Sequence, residues 1–263
     1  MAVPFVPVTL RRAILACLAV AATTAACSTP TASTGAGNPT TPVTTSSTAS
    51  PTSTTPAPST TAPSAPAPQA RTKASLKKAL LEVSDMPSGF SEEPTSSGQS
   101  GGPTISSKDA RCADLVSLMN ARTAPGSLAS AEASFSAGQS GPSIDESLDA
   151  LGSEAKVSAL QARLKAALGR CSKVTMSIPG HGRSTMHVAT VNPPKVGTAP
   201  VAARITGEGG PLDGFELTQV YTGVGDVVLS LTFVGATPDD IDGASGLAHD
   251  KAASLLGLDG TKS

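Results

Sequence analysis

The chain has 263 residues, with 19 Lys and Arg against 20 Asp and Glu, a net charge of −1, no Trp, one Tyr and five Phe. So near-neutral a balance, without a basic stripe, disfavours nucleic-acid binding. The scarcity of aromatic rings removes stacking platforms for bases or sugars and leaves a core of Leu, Val, Ile and Ala.

Arg11-Arg12 precedes an uncharged, mostly apolar run from Ala13 to Ala22, and Thr24-Ala25-Ala26-Cys27 follows. About ten apolar residues are too few to span a hydrocarbon core of ~30 Å. Small side chains before a cut and a thiol just after it are what lipoprotein processing requires. Residues 1–26 are therefore expected to be a lipoprotein signal peptide and Cys27 the acylated residue, although Thr24 stands where such a signal usually carries leucine. An ordinary secretory signal cut near Ala26 is the competing reading. Cys17 lies in the apolar run and leaves with the signal.

From Ser28 to Ala70 there is no charged residue, only a chain dominated by Thr, Ser, Pro, Ala and Gly. It buries too little apolar surface to offset its conformational entropy, which predicts a disordered tether over residues 27–70. Its prolines make it a semi-stiff spacer, with a reach of at most about 130 Å. Dense Ser and Thr beside Pro also suit O-glycosylation, and an unmodified linker suits the composition equally.

Residues 71–263 form the folded domain, with 17 of the Lys and Arg and all 20 Asp and Glu. A helix is predicted over Ser75 to Val83, with Leu76, Ala79, Leu80 and Val83 on one side. It ends in the turn Ser84-Asp85-Met86-Pro87-Ser88-Gly89-Phe90, and Glu92 to Ser107 reads as a loop. Lys108 to Ala121 is the next helix, burying Cys112, Leu115, Val116 and Met119. Ala129 to Ala137 alternates as a strand, with Ala131, Ala133 and Phe135 inward. Ser143 to Leu151 is read as opening a helix that continues through Leu168, with Gly169 at its C′ position.

The period then changes to two. Val174, Met176 and Ile178 alternate, Pro179 to Gly182 turns, and Met186 to Val191 returns. Val201, Ala203 and Ile205 form another set. Phe215, Leu217 and Tyr221 lead to the connection Gly223-Val224-Gly225-Asp226, and Val227, Leu229, Leu231 and Phe233 come back as a hairpin. A last helix opens with Thr237 as N-cap and Pro238 at N1, and buries Ile241, Ala244, Ala248 and Leu255. Helices and antiparallel strands without regular βαβ alternation give an α+β fold, an antiparallel sheet with helices packed on one face.

Cys112 and Cys171 are the two cysteines of this domain, and in an exported protein such a pair most often bonds. Closing a loop of about 60 residues contributes ~4 kcal/mol in the chain-entropy model. Two free buried thiols or a metal pair are the alternatives, but two cysteines alone are too few for a structural zinc site.

This layout resembles the actinobacterial lipoproteins related to the extracellular sensor domain of the PknH-type Ser/Thr kinases. The resemblance covers about residues 75–257. It rests on the first helix running into Asp85-Met86-Pro87-Ser88-Gly89-Phe90, on Cys112 and Cys171 bracketing a strand and a long helix, on the hairpin at Gly225-Asp226, and on the final helix. It implies an antiparallel sheet flanked by helices, a lipid-anchored extracytoplasmic location, and binding or sensing without catalysis. The kinase domain carries more than one disulfide, whereas one cysteine pair is present here. A second resemblance, to lipoproteins with a Mog1/PsbP-like sandwich, implies the same location.

Catalytic motifs fail on context. Gly98-Gln99-Ser100-Gly101-Gly102 matches G-x-S-x-G, but Ser100 has no apolar strand before it and no helix directly after it. Gly138-Gln139-Ser140-Gly141 shows how easily this composition produces the pattern. His181 and His187 lie near one hairpin end and lack a third ligand. His249 is a helix-surface residue beside Asp250. Asp239, Asp240 and Asp242 lack the Gly and terminal Glu of a calcium loop, and helix capping explains two of them. No cofactor is implied. The first functional expectation is a small ligand held between the sheet and its helices or loops. The second is an envelope protein docked on the sheet face near Glu216, Thr218, Ser230 and Thr232.

Overall fold

Every segment with a clean alternation in the second half of the chain forms a strand, and these strands build one sheet. The computed structural model describes residues 70–95, 102–138 and 141–258. Residues 1–69, which hold the expected signal peptide, Cys27 and nearly all of the expected tether, lie outside the described residues, as does Ser100. The strands are β1 (Ser91–Glu93), β2 (Thr104–Ser106), β3 (Ala129–Ser136), β4 (Ser143–Ala150), β5 (Lys173–Ile178), β6 (Gly182–Val191), β7 (Thr198–Glu208), β8 (Glu216–Val224) and β9 (Val227–Val234). They pair antiparallel in the order β1-β3-β4-β9-β8-β7-β6-β5-β2. Among the described residues four α-helices pack on them: α1 (Lys73–Ala79), α2 (Ala113–Asn120), α3 (Glu154–Arg170) and α4 (Pro238–Leu255).

Helix α1 starts earlier and ends sooner than its apolar spacing predicts. Thr72 and Ser75 form a reciprocal capping box at its start, and Leu80 is already extended. Val83 sits in a separate 3₁₀ turn and is 43% exposed rather than buried. The predicted loop over Glu92 to Ser107 contains the two edge strands, each too short and polar to show a period. Asn120 shields the outer edge of β2: its side-chain carbonyl accepts from the Ile105 N–H and its amide donates to the Ile105 C=O, both at 2.8 Å. An edge satisfied in this way offers less to a foreign strand.

Ser143 to Ala150 is a strand and not the beginning of a helix. Ile144, Glu146, Leu148 and Ala150 point one way, towards the partners Phe233, Leu231, Leu229 and Val227 on β9. Glu146 in the second inward place breaks the apolar alternation, which hides the strand in the sequence. The helix proper starts after Ser153, whose hydroxyl accepts from the Lys156 N–H. Gly169 is not the left-handed stop expected of it. The helix runs through it to Arg170, and the chain leaves through an extended Cys171, so no positive φ is required.

The covered face switches between the two halves of the sheet, so that helices lie on one face within each half. Over β3, β4 and β9, the helices α1 and α4 bury Leu76, Ala79, Ala248 and Ala252 against Phe135, Leu148 and Leu231. Over β7, β6 and β5, on the opposite face, α2 and α3 bury Leu115, Leu164 and Ala167 against Ile205, Met186 and Val174. Strand β7 serves both clusters, with Ala202 in one and Val201 and Ala203 in the other. Each half thereby keeps one face without a helix packed squarely upon it.

Candidate functional site

Cys112 and Cys171 are bonded, with their Cα atoms 4.8 Å apart, and both side chains are buried. The bridge ties the 3₁₀ turn before α2 to the end of α3. The position of α2 against α3 is therefore held covalently at one end. Arg163 and Asp114 add an ion pair at 2.9 Å between the same two helices.

The histidines stay apart. His187 Nε2 lies 2.6 Å from Glu208 Oε2 on the helix-free face of the β5–β7 half, while His181 is exposed in the turn before β6. His249 pairs with Asp250 at 2.9 Å. Among the described residues no group of three or more His, Cys, Asp or Glu is placed to hold a metal ion. Asp240 caps α4 reciprocally with Thr237, which holds its carboxyl below the usual carboxylate range through the Thr237 hydroxyl.

Glu216, Thr218, Ser230 and Thr232 do not share a face. The β8–β9 register sets Thr218 opposite Phe233, and Tyr221 opposite Ser230. Thr218 consequently lies on the face of α1 and α4, and Ser230 and Thr232 lie on the other. The expected docking patch is thus divided, because even-numbered residues of β8 share a face with odd-numbered residues of β9.

Ser230 and Thr232 instead belong to the floor of a cleft of about 190 Å³. The floor is the face of β4, β9 and β8 turned away from α1 and α4, and includes Ser147, Asp149, Gln219 and Tyr221. One wall is α3, through Leu160, Gln161 and Leu164; the other is the segment from Leu118 to Pro125 that leaves α2. Gly223 lets α3 lie close to β8, since a Cβ there would meet Val157 at 2.9 Å.

Two buried groups in this cleft are incompletely paired. Asp149 is 3% exposed, and its carboxylate has neither a hydrogen bond nor an ion pair among the described residues; its Oδ1 is fully enclosed. Gln161 is 2% exposed. Its Nε2 donates to the Thr198 carbonyl at 2.7 Å, which fixes the amide's orientation and leaves Oε1 without a partner. The β7 ladder is irregular between Thr198 and Val201. Unsatisfied buried acceptors are uncommon because each carries a desolvation penalty of about 1–3 kcal/mol.

The floor also carries a phenol and an amide that pair with each other. Tyr221 donates its hydroxyl to Gln219 Oε1 at 3.1 Å, and burial pushes that hydroxyl up to about 12, so it stays protonated. Asp145, on the same face of β4, is raised from the ordinary range by burial, against the opposing effect of the Ser134 hydroxyl. Among the described lining residues there is no histidine or cysteine to act as base or nucleophile. Arg122, an exposed residue, also lines the cleft and has an interaction of its own.

Asp149 and Gln161 were not singled out from the sequence. Reading 143–151 as helix removes the alternation that sends Asp149 to the face opposite Leu148. Gln161 is the polar member of an otherwise apolar helical face, between Val157 and Leu164. That break in the stripe is the signal that marks it.

No family model matches the chain, and no curated protein matches it. Among solved structures it is similar to the extracellular domain of PknH from Mycobacterium tuberculosis. The TM-score is 0.51 at 14% sequence identity, over 72% of this chain and 98% of that one. At that identity the likeness is one of fold alone, an antiparallel sheet with flanking helices.

Proposed function

We propose that this chain is a lipid-anchored extracytoplasmic lipoprotein of actinobacterial type that binds a small ligand in a sensor-like domain and carries out no catalysis. The observation that carries the reading is the cleft between the sheet and α3, with Asp149 and Gln161 buried and incompletely paired inside it. Folding retains such groups at a cost, and a ligand that completes their hydrogen bonds offsets that cost. The fold shared with the extracellular domain of PknH supports a sensor-like role. Acylation of Cys27 and a tether over residues 27–70 then hold the domain away from the membrane surface. No nucleic acid and no cofactor takes part.

Localisation tests the anchor. Wild-type chain is expected in the membrane fraction, and Cys27→Ser in the medium. Membrane retention of Cys27→Ser overturns the lipid-anchored reading.

A further inference from the structure

The chemistry of the cleft narrows its ligand. Asp149 supplies a carboxyl group from a residue only 3% exposed, near the end of β4 where it pairs with β9. Across the cleft, Gln161 supplies a carbonyl oxygen whose orientation is fixed by the Thr198 carbonyl. Both are acceptors, so the missing partner is a donor. A neutral hydroxyl satisfies hydrogen bonding but leaves the carboxylate's charge uncompensated in a region of low dielectric. An anion is repelled. A divalent metal prefers several carboxylate and carbonyl oxygens, and one carboxylate supplies too few.

Resting on the reading of this cleft as a binding site, we propose that its ligand is a compact molecule bearing a protonated primary amine. The ammonium group donates to Asp149 and to Gln161 Oε1, and its short carbon chain lies against Leu160, Leu164 and Val228. An ammonium offers three donors and one positive charge, which matches one carboxylate and one carbonyl with a hydroxyl from Ser147 or Ser230 as the third acceptor. The volume of about 190 Å³ is below that of pockets for drug-sized ligands, so the recognised portion is a few heavy atoms.

The test uses the ¹⁵N-labelled full-length chain and four probes: propylammonium chloride, sodium propionate, 1-propanol and calcium chloride. Propylammonium is expected to shift the Gln161 side-chain amide and the Ser230 backbone amide saturably. Propionate, propanol and calcium are expected to cause no saturable shift at those positions. Asp149→Asn is expected to weaken propylammonium binding at least tenfold, and if that variant does not fold, the four-probe comparison on the wild type decides alone. Saturable binding of propanol or calcium at these amides, with none by propylammonium, overturns the amine assignment and leaves the cleft as a binding site. No saturable shift with any of the four overturns both readings. Unchanged propylammonium affinity in a folded Asp149→Asn overturns the role of Asp149.

Discussion

The two helix-free faces of the sheet handle charge in opposite ways. On the β5–β7 half, the side chains turned to solvent pair among themselves: His187 with Glu208 at 2.6 Å, and Arg204 with Glu216 at 3.4 Å. These groups keep much of their hydration, and surface pairs of this kind contribute little to stability. On the β4–β9 half, the floor lies under the edge of α3, and Asp149 is buried there without an ion pair of its own among the described residues. One face is a solvated surface; the other holds an unmet demand for a donor. Exposure of a sheet face therefore says less about function than the pairing of its polar groups does.

The strongest way to break this contrast is to loosen the wall that makes the second face a cleft. The Cys112–Cys171 bridge holds α2, and through it the segment Leu118 to Pro125, against α3. Replacing both cysteines by alanine is expected to destabilise the domain by ~4 kcal/mol, a large part of a typical domain's stability. Chemical denaturation of the variant beside the oxidised wild type measures this. If the cleft depends on the staple, saturable propylammonium shifts at Gln161 also disappear in the variant. A midpoint unchanged from that of the wild type contradicts the stabilising role.

Strand β4 carries a second buried acid, facing the other way, and it sharpens the comparison. Glu146 is 2% exposed among α1, β3 and α4, and one carboxyl oxygen accepts from the Leu81 N–H at 2.8 Å. Burial raises its pKa from 4.5 to about 7, against the opposing effects of the Leu81 N–H and Lys251; nearby Asp85 adds to the rise. Lys251 itself is held by Asp85 at 2.6 Å. A raised acid binds its proton more tightly in the folded state than in the unfolded state. Its contribution is complete below about pH 4.5 and is lost as pH climbs through about 7, amounting to as much as ~3 kcal/mol at pH 8. Glu146→Gln is expected to flatten the dependence of the melting temperature on pH between 5 and 8. An equally steep profile in that variant would falsify the assignment to Glu146.

The parts of the molecule legible in the sequence are those where one kind of side chain repeats without interruption. The hairpin of Val227, Leu229, Leu231 and Phe233, the capped start of α4 at Thr237-Pro238, and the cysteine pair all follow from local rules. Strand β4 was illegible because it is loaded on both faces with groups that tertiary context alone explains. Glu146 interrupts its apolar side, and Asp149 lies buried on its polar side. The cleft was lost with the strand. The switch of covered face was equally hidden, since alternation in β7 shows that Val201 and Ala203 point together but not that Ala202, facing away, is buried too. Edge strands of three residues offer too short a window for any period.

The smallest expected effects give the most direct test of the contrast between faces. In the absence of ligand, Asp149→Asn removes a buried charge with no counterpart, and is expected to stabilise the domain by roughly 1–3 kcal/mol. Glu208→Gln removes an exposed charge whose carboxyl is held below the usual range by the His187 hydrogen bond. That variant is expected to leave the melting temperature unchanged, because both partners stay hydrated. Scanning calorimetry of the two variants at pH 7 reads both values against the wild type. A gain at Asp149 that coincides with weaker amine binding is the signature of a residue kept for its ligand at the expense of stability. A loss of stability in Asp149→Asn instead means that the carboxylate is already satisfied within the fold, and the difference between the two faces disappears.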